Sequence, residues 1–540
     1  MIVDTLLFAC ALAACDPPTS ALRFTDVTAE SGIQFTLTSG ASPSTQILEV
    51  KGGGLALIDF DGDADLDIFV PNGATLADPA KGPGARLFRN DGGMRFTDVT
   101  AASGISHTRW SFGCAVGDVD GDDRDDIFIA CFGPDVLLRN RGDGTFEDIT
   151  AKAGVGDPRW GTSAAFADLD LDGDLDLYVC NYVDFDPAKP MAPATFKGEK
   201  VIAGPRGYPG AHDALYENRG DGTFVDRSAD SGIAAVKPGY GLNAAIVDFT
   251  GDGNPDIFVG NDSQENNLFV AAEPWRYADK GLRSGIAVNG EGSAQATMGV
   301  AIADVDGNGR PDVFTTNFSS DTNTLHLNLD GANFDDRTNQ FGLGAPSRTY
   351  VGWGAGFHDF DHDGDEDMLS VNGHVYPQAT KRVMDSEYAQ PPLLMERDGA
   401  RFRTVTAAGT WKLEPHVDRT AVFADFDRDG DIDVVIAGLN EPLRVIRNDH
   451  DAKDDWIVVA PKDRRRAIGA EITVTADGRT QRRWIVGGGP FQSNVAPEVH
   501  FGLGAGSGSV DVRVRYLRAG EGPREVRVEA AARGTRVVTE

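Results

Sequence analysis

Apolar residues along most of this chain come in short, dense runs rather than at helical spacing. Runs such as "GGLALI" (53–58), "GTSAAF" (161–166) and "GWGAGF" (352–357) each precede a polar turn. After the turns come "IFV" (68–70), "IFIA" (127–130), "LYVC" (177–180), "IFVG" (257–260), "VFTT" (313–316), "MLSV" (368–371) and "VVIAG" (434–438). Brief apolar runs bounded by turn residues predict buried strands. A second element follows each pair: "LFRNDGGMRFTDVTAASGI" (87–105), "LLRNRGDGTFEDITAKAGV" (137–155), "LYENRGDGTFVDRSADSGI" (215–233) and "LHLNLDGANFDDRTNQFGL" (325–343). "LLMERDGARFRTVT" (393–406) is a looser copy and "YADKGLRSGI" (277–286) a degenerate one. Their Asn/Asp-Gly pairs between alternating runs predict hairpins. Each repeat unit is therefore read as a four-stranded antiparallel sheet. The C-terminal region differs: "EITVTAD" (471–477), "VDVRVRY" (510–516) and "REVRVEA" (524–530) alternate strictly, the mark of strands with one solvated face.

Repeats of this size, each one small sheet, predict a solenoid or a propeller. The ends of the array decide between them. "FTDVTAESGI" (24–33) has no hairpin partner before it, and "LRVIRN" (443–448) has no "F-x-D-x-T" strand after it. The two halves complete one another, so the N-terminal strand is expected to close a ring and leave no open edge. The fold class is thus all-β: a seven-bladed β-propeller over residues 23–450, followed by a small β-sandwich-like domain over 453–540.

The turns inside the repeats carry the candidate chemistry. "DFDHDGDED" (359–367) places acids at positions 1, 3, 5 and 9, and the same spacing recurs six more times. The candidate ligands are Asp59, Asp61, Asp63 and Asp67; Asp118, Asp120, Asp122 and Asp126; Asp168, Asp170, Asp172 and Asp176; and Asp248, Thr250, Asp252 and Asp256. They continue with Asp304, Asp306, Asn308 and Asp312; Asp359, Asp361, Asp363 and Asp367; and Asp425, Asp427, Asp429 and Asp433. Carboxylates this crowded repel one another and raise their own pKa values unless a cation joins them. A hard, oxygen-seeking dication suits the set, so up to seven Ca²⁺ ions are expected. An EF-hand is excluded because position 12 is Val70, Ile129, Val179, Val259, Thr315, Ser370 or Ile436 rather than Glu, and because strands flank the loops. Thr250 and Asn308 each replace an acid, which predicts weaker binding in those two loops.

These loops resemble FG-GAP/VCBS repeats, the calcium-loop blades of integrin α-chain propellers. "YVGWGAGFHDFDHDGDEDMLSVNGHVYP" (350–377), "GNDSQENNLF" (260–269), "MGVAIADVDGNGRPDVFTTNF" (298–318) and "RAIGAEITVTADGRTQRRWIVGGGPFQSNVAPEVHFGLG" (466–504) resemble the ASPIC/UnbV (cartilage acidic protein-like) family more specifically. The resemblance covers about residues 22–525. It implies a calcium-dressed propeller with a small β domain behind it and an extracytoplasmic binding role, without a settled activity.

The net charge of −33 argues against a nucleic-acid partner, which requires a basic footprint. Most of that acidity lies in the loops. Residues 453–540 have the opposite sign, with 15 Lys/Arg against 11 Asp/Glu. "RRR" (464–466) and "QRRW" (481–484) are expected to form a solvated basic face, with docking on the acidic propeller or on anionic glycans as the alternative. Residues 5–14 form an apolar leader core, and "LAAC" (12–15) resembles a bacterial lipobox. A lipid on Cys15, a signal segment over 1–15 and a tether over 16–22 are therefore expected, making this an exported, membrane-anchored lipoprotein. An ordinary secretion signal is the alternative, since Asp4 and the lack of Lys or Arg are atypical of a leader's first region. Cys114 and Cys131 flank one acidic loop; small buried strand residues are the preferred reading over a disulfide.

No G-x-S-x-G, H-E-x-x-H, P-loop or CxxC motif is present. His358 and His362 read as packing or solvated residues, and His374 as a structural hydrogen-bonder or a lining of the central funnel. Two insertions interrupt the repeats: residues 182–213, carrying Tyr182, Lys189, Lys197, Lys200, Arg206 and Tyr208, and residues 375–392. Long loops on a rigid scaffold are where binding usually resides, so any ligand face is expected there. The resulting functional expectation is a non-enzymatic adhesion or ligand-binding module at the cell surface, taking a protein or glycan ligand. The rival is a polysaccharide lyase or hydrolase working in the propeller funnel.

Overall fold

A computed structural model describes residues 20–450, 455–518 and 524–539. The leader reading, including Cys15, lies outside them. Among the described residues the chain builds seven sheets of one strand order, as the repeat predicts. The inner strands are Ala56–Ile58, Ser111–Gly117, Gly161–Ala167, Gly241–Val247, Val300–Ala303, Gly352–His358 and Asp418–Ala424. Each leads through an acidic loop into a second strand, such as Asp126–Cys131 or Asp176–Asn181, and then into a hairpin. In the last sheet the hairpin's outer strand is Phe24–Asp26, with Phe24 opposite Asn448. The N-terminal strand closes the β-propeller, so the ring has no free end.

The inner strands are buried almost throughout, Ile302 and His358 being half-buried, and are rich in Gly and Ala because neighbouring sheets converge on the axis. A Cβ on Gly113 would sit 2.5 Å from the Thr162 carbonyl, so the close approach of sheets two and three admits no side chain there. Apolar clusters fill the gaps between successive sheets; Phe128, Leu137, Phe166 and Tyr216, for example, pack in one.

A polar bond repeats around the ring alongside this apolar packing. In six of the seven sheets a residue at or next to the end of the third strand reaches back to the acidic loop of the preceding sheet. Asn140 Nδ2 donates to Phe60 O at 2.8 Å, Asn218 to Val119 O at 2.8 Å, Asn328 to Phe249 O at 2.8 Å, Asn448 to Phe360 O at 2.9 Å and Asn90 to Phe426 O at 2.9 Å. Arg397 makes the same bond to Val305 O at 2.8 Å. Where Ala271 stands instead, Trp275 Nε1 donates to Asp170 of the preceding loop at 3.0 Å. Every sheet-to-sheet step, the closing one included, is tied in this way.

The C-terminal region forms a three-stranded sheet (Val499–Gly502, Trp456–Pro461, Thr535–Thr539) and a four-stranded one (Arg479–Trp484, Glu471–Ala476, Val510–Tyr516, Arg524–Ala531). The two sheets share one apolar cluster. No helix among the described residues is long and apolar enough to cross a membrane. Cys114, Cys131 and Cys180 are free and buried; a bulge between Ser111 and Cys114 shifts the register, so Ser111 lies opposite Cys131 and Cys114 opposite Ile129.

Candidate functional site: acidic loops on one face, a roofed cavity on the other

The acidic loops all emerge from the same end of the inner strands and so share one face of the ring. Their internal geometry repeats. Position 9 accepts two backbone amides: in Asp126, Oδ2 takes Val119 N at 3.1 Å and Oδ1 takes Asn140 N at 2.8 Å. The same pair of bonds recurs at Asp67, Asp176, Asp312 and Asp433. Asp367 and Asp256 repeat it with Arg397 and Ala271 in the place of the asparagine. Position 9 therefore welds the loop to the third strand, a structural role that spacing alone does not reveal. Position 5 accepts the amide two residues on in every loop, from Asp63 (2.9 Å) to Asp429 (3.0 Å). Position 4 has a positive φ throughout, which explains its frequent Gly; Leu171, His362 and Arg428 adopt it at φ 64°, 56° and 61°.

Carboxylate oxygens converge within 4.8 Å in the groups Asp59/Asp61/Asp67, Asp118/Asp120/Asp122, Asp168/Asp170/Asp176, Asp304/Asp306/Asp312 and Asp359/Asp361/Asp363. Burial, reinforced by neighbouring carboxylates, pushes Asp67, Asp126, Asp256 and Asp312 up to about 8, and Asp168 and Asp425 to about 7. An all-oxygen, crowded and partly desolvated donor set fits a hard dication. The two loops that lack one acid use the substituted side chain locally. Thr250 offers a hydroxyl 3.4 Å from Asp248 Oδ1, and Asn308 commits its Nδ2 to Asn328 O at 3.0 Å.

The basic C-terminal stretches are not a solvated face. They dock on the loop face, because the acids there supply the complementary charge. Arg464 pairs with Asp59 at 3.3 Å and Asp125 at 2.5 Å, and Arg465 with Asp174 at 3.2 Å. Arg479 pairs with Asp365 at 2.8 Å and Arg483 with Glu366 at 2.7 Å. From this module the segment "GGGPFQSN" (487–494) enters the ring axis. Gly487 and Gly488 pair with Ile246 and Ala245 of an inner strand. Asn243 Nδ2 donates to Gly489 O at 2.9 Å, Asn494 N donates to Leu55 O at 3.0 Å, and the Phe491 ring meets Trp353 at 4.9 Å. The module plugs the channel from the loop side.

On the opposite face the two insertions meet. Residues 182–213 contribute the hairpin Ala194–Phe196 and Glu199–Val201, and the second insertion contributes the helix Lys381–Met384. Lys197 Nζ donates to Met384 O at 2.9 Å, and Phe196 packs against Tyr376 at 5.6 Å and Phe318 at 5.8 Å. Beneath them lies a cavity of about 770 Å³ lined by Lys51, Phe196, Asp262, Phe318, Trp353 and Tyr376 among others. On its floor a buried Lys51 Nζ contacts Asp262 Oδ2 at 2.9 Å, and that oxygen also accepts the Tyr182 hydroxyl at 2.6 Å. Ser263 Oγ donates to Asp262 Oδ1 at 2.9 Å. Burial pushes Asp262 up, but Lys51 and the two hydroxyls outweigh it and hold the carboxylate below its usual range. Residues Lys51 and Asp262 were missed in the sequence because each lies in an unremarkable repeat position, 211 residues from the other.

Of the other residues singled out from sequence, Lys189 and Lys200 are exposed, Tyr182 is fully buried and Tyr208 half-buried. His374 is a structural hydrogen-bonder: its Nδ1 accepts Tyr376 N at 3.0 Å and its Nε2 lies 3.3 Å from Ser319 Oγ. Burial, with Arg419 and Lys197 nearby, pulls it down to about 3. His358 packs 4.5 Å from the Phe423 ring, and His362 lies 3.4 Å from Asp431 with His450 and His500 beside it.

A family model described as an FG-GAP-like repeat matches residues 59–129, 118–179, 201–259, 248–315 and 304–370, together more than half of the chain. Another, described as ASPIC and UnbV, matches residues 460–535. Cartilage acidic protein 1 of Mus musculus is 26% identical over 302 residues, which cover 53% of this chain and 43% of that protein. The Homo sapiens protein of the same name is 26% identical over 302 residues, covering 53% and 42%. The matched region thus spans less than half the length of these relatives. Among solved structures, YCF48 bound to D1 peptide aligns with 80% of this chain and 96% of its own at a TM-score of 0.41 and 8% identity. An Agrocybe aegerita lectin, described as recognising non-reducing terminal N-acetylglucosamine, aligns with 71% and 85% at 0.36 and 17%. The chain belongs to the FG-GAP-like repeat family and carries an ASPIC and UnbV domain at its C-terminal side.

Proposed function

We propose that this protein is an exported ligand-binding module, held at the membrane through a lipid on Cys15, that works without catalysis. Its two faces divide the labour. Up to seven Ca²⁺ ions fill the acidic loops, with positions 1, 3, 5 and 9 as donors; each ion neutralises a crowded turn and so stabilises the ring by mass action. The ligand, a protein or a glycan, enters the opposite face. One observation carries this reading: the two insertions that break the repeat, from sheets three and six, converge over one cavity of about 770 Å³, within the range of small-ligand sites.

Two observations weigh against a polysaccharide lyase or hydrolase in the funnel. The 487–494 segment fills the axis from the loop side. The buried carboxylate in the cavity, Asp262, already accepts from Lys51, Tyr182 and Ser263. The test is retention of a bound partner by the full chain in calcium, compared with variants of the insertions. Replacing Phe196 by Ala is expected to abolish retention while Arg464→Ala leaves it unchanged, with no product released from any polysaccharide. The opposite pattern, or turnover, would overturn the proposal.

A further inference from the structure

The cavity under the insertions has a composition that narrows its occupant; the inference rests on the ligand-site reading above. Its charged lining balances: Lys51 and Arg206 against Asp262 and Asp321, with Lys51 already neutralised by Asp262 at 2.9 Å. A strongly anionic or cationic ligand would find no surplus counter-charge. A purely apolar ligand is equally disfavoured, because it would cover the Lys51 ammonium, which spends one donor on Asp262, and the Ser320 hydroxyl without offering either a partner.

The walls supply the remaining information. Phe196, Phe318 and Tyr376 form a mutually packed aromatic triad, with centroid separations of 5.6, 5.8 and 5.8 Å, and all three rings are half-buried. Each therefore keeps some surface for a ligand. The triad is clamped: His374 stacks edge-on to Phe318 at 5.4 Å, and Lys197 of the first insertion bonds the second. Rigid rings beside fixed hydroxyl, ammonium and carboxylate groups suit a ligand with an apolar C–H face and a polar rim. We propose that the cavity binds the end of a neutral oligosaccharide, its C–H face against Phe196, Phe318 and Tyr376 and its hydroxyls toward Lys51, Asp262 and Ser319.

The test uses the full chain in millimolar calcium, titrated calorimetrically with a panel of neutral tri- and tetrasaccharides and, separately, a panel of short peptides with aromatic, acidic or basic ends. The variants are Phe318→Ala, Tyr376→Phe, which keeps the ring and removes the hydroxyl, and Arg206→Ala on the exposed rim. The expected result is a saccharide whose affinity falls at least tenfold in Phe318→Ala and a few-fold in Tyr376→Phe, with the far-face variant Arg464→Ala unchanged. Because Phe318→Ala also removes packing against Phe196 and Tyr376, the melting curve of each variant is recorded, and a co-crystal of the unaltered chain with the best saccharide locates it independently. If the peptides bind with this variant pattern and the saccharides do not, the saccharide assignment is wrong while the cavity stands as the ligand site. If nothing in either panel responds to the cavity variants, both readings are overturned.

Discussion

Asn218→Ala isolates the bond that joins successive sheets. The Asn218 side chain is 3% exposed; its Nδ2 donates to Val119 O at 2.8 Å in the neighbouring loop and to Leu175 O at 3.0 Å in its own, and its Oδ1 accepts Gly220 N at 3.0 Å. Alanine removes all three bonds and leaves two buried carbonyls without this donor. Each net bond is worth about 1 kcal/mol and each stranded polar group costs about 1–3 kcal/mol, so the variant should lose about 3 kcal/mol, at most about 5. The assay is urea unfolding followed by tryptophan fluorescence in saturating calcium, with Asn333→Ala as control. Asn333 is exposed and its side chain bonds only Asp330, so its loss should stay within about 0.5 kcal/mol. Equal midpoints for the two variants would refute the latch. Ala271 offers an internal comparison: at that one step the latch is replaced by Trp275, so Trp275→Phe should weaken the ring by about 1 kcal/mol through the lost bond to Asp170.

Further outcomes follow from the same geometry. Burial raises the folded-state pKa of Asp67, Asp126, Asp256 and Asp312 to about 8, so the metal-free folded chain holds protons that the unfolded chain releases near pH 4. Its stability in EDTA should therefore be greatest at the acid side of this window and fall as pH rises through about 8; melting curves between pH 5 and 9 that rise instead would contradict the burial of these acids. Lys51→Met leaves Asp262 buried without its cation and should cost about 3–5 kcal/mol, most of it regained in the double variant with Asp262→Leu, as read by urea unfolding. Removing both Arg464 and Arg465 breaks the pairs to Asp59, Asp125 and Asp174, and hydrogen exchange in residues 456–516 should quicken roughly tenfold, about 1.4 kcal/mol of lost protection.

The repeat was legible because its signals are local. The apolar runs and hairpin turns gave the four-stranded sheet, and the orphan strand at Phe24–Asp26 gave ring closure, since an unmatched half-hairpin at each end has one economical solution. The acids of the loops were legible for the same reason. The latch asparagines stood in plain view in "LFRN", "LLRN", "LYEN", "LHLN" and "VIRN", yet their role needs the neighbouring sheet, which spacing along one strand does not locate. The sequence leaves the C-terminal arginines open between a solvated face and docking on the propeller, because a charge run looks the same whether water or an acidic face surrounds it. The plugging role of 487–494 is not legible: "GGGPFQSN" reads as a loop, and only contacts with Leu55, Asn243 and Trp353 place it on the axis. Lys51 and Asp262 meet only through closure of the ring, so no local pattern pairs them.

The most direct test of the two-faced account is calorimetric titration of the metal-free full chain with Ca²⁺ at pH 7, run in two buffers of different ionisation enthalpy. The account predicts several equivalents bound, approaching seven, with protons released from the buried loop acids and a higher melting temperature at saturation. Absence of binding, or binding with no proton release and no gain in stability, would contradict it.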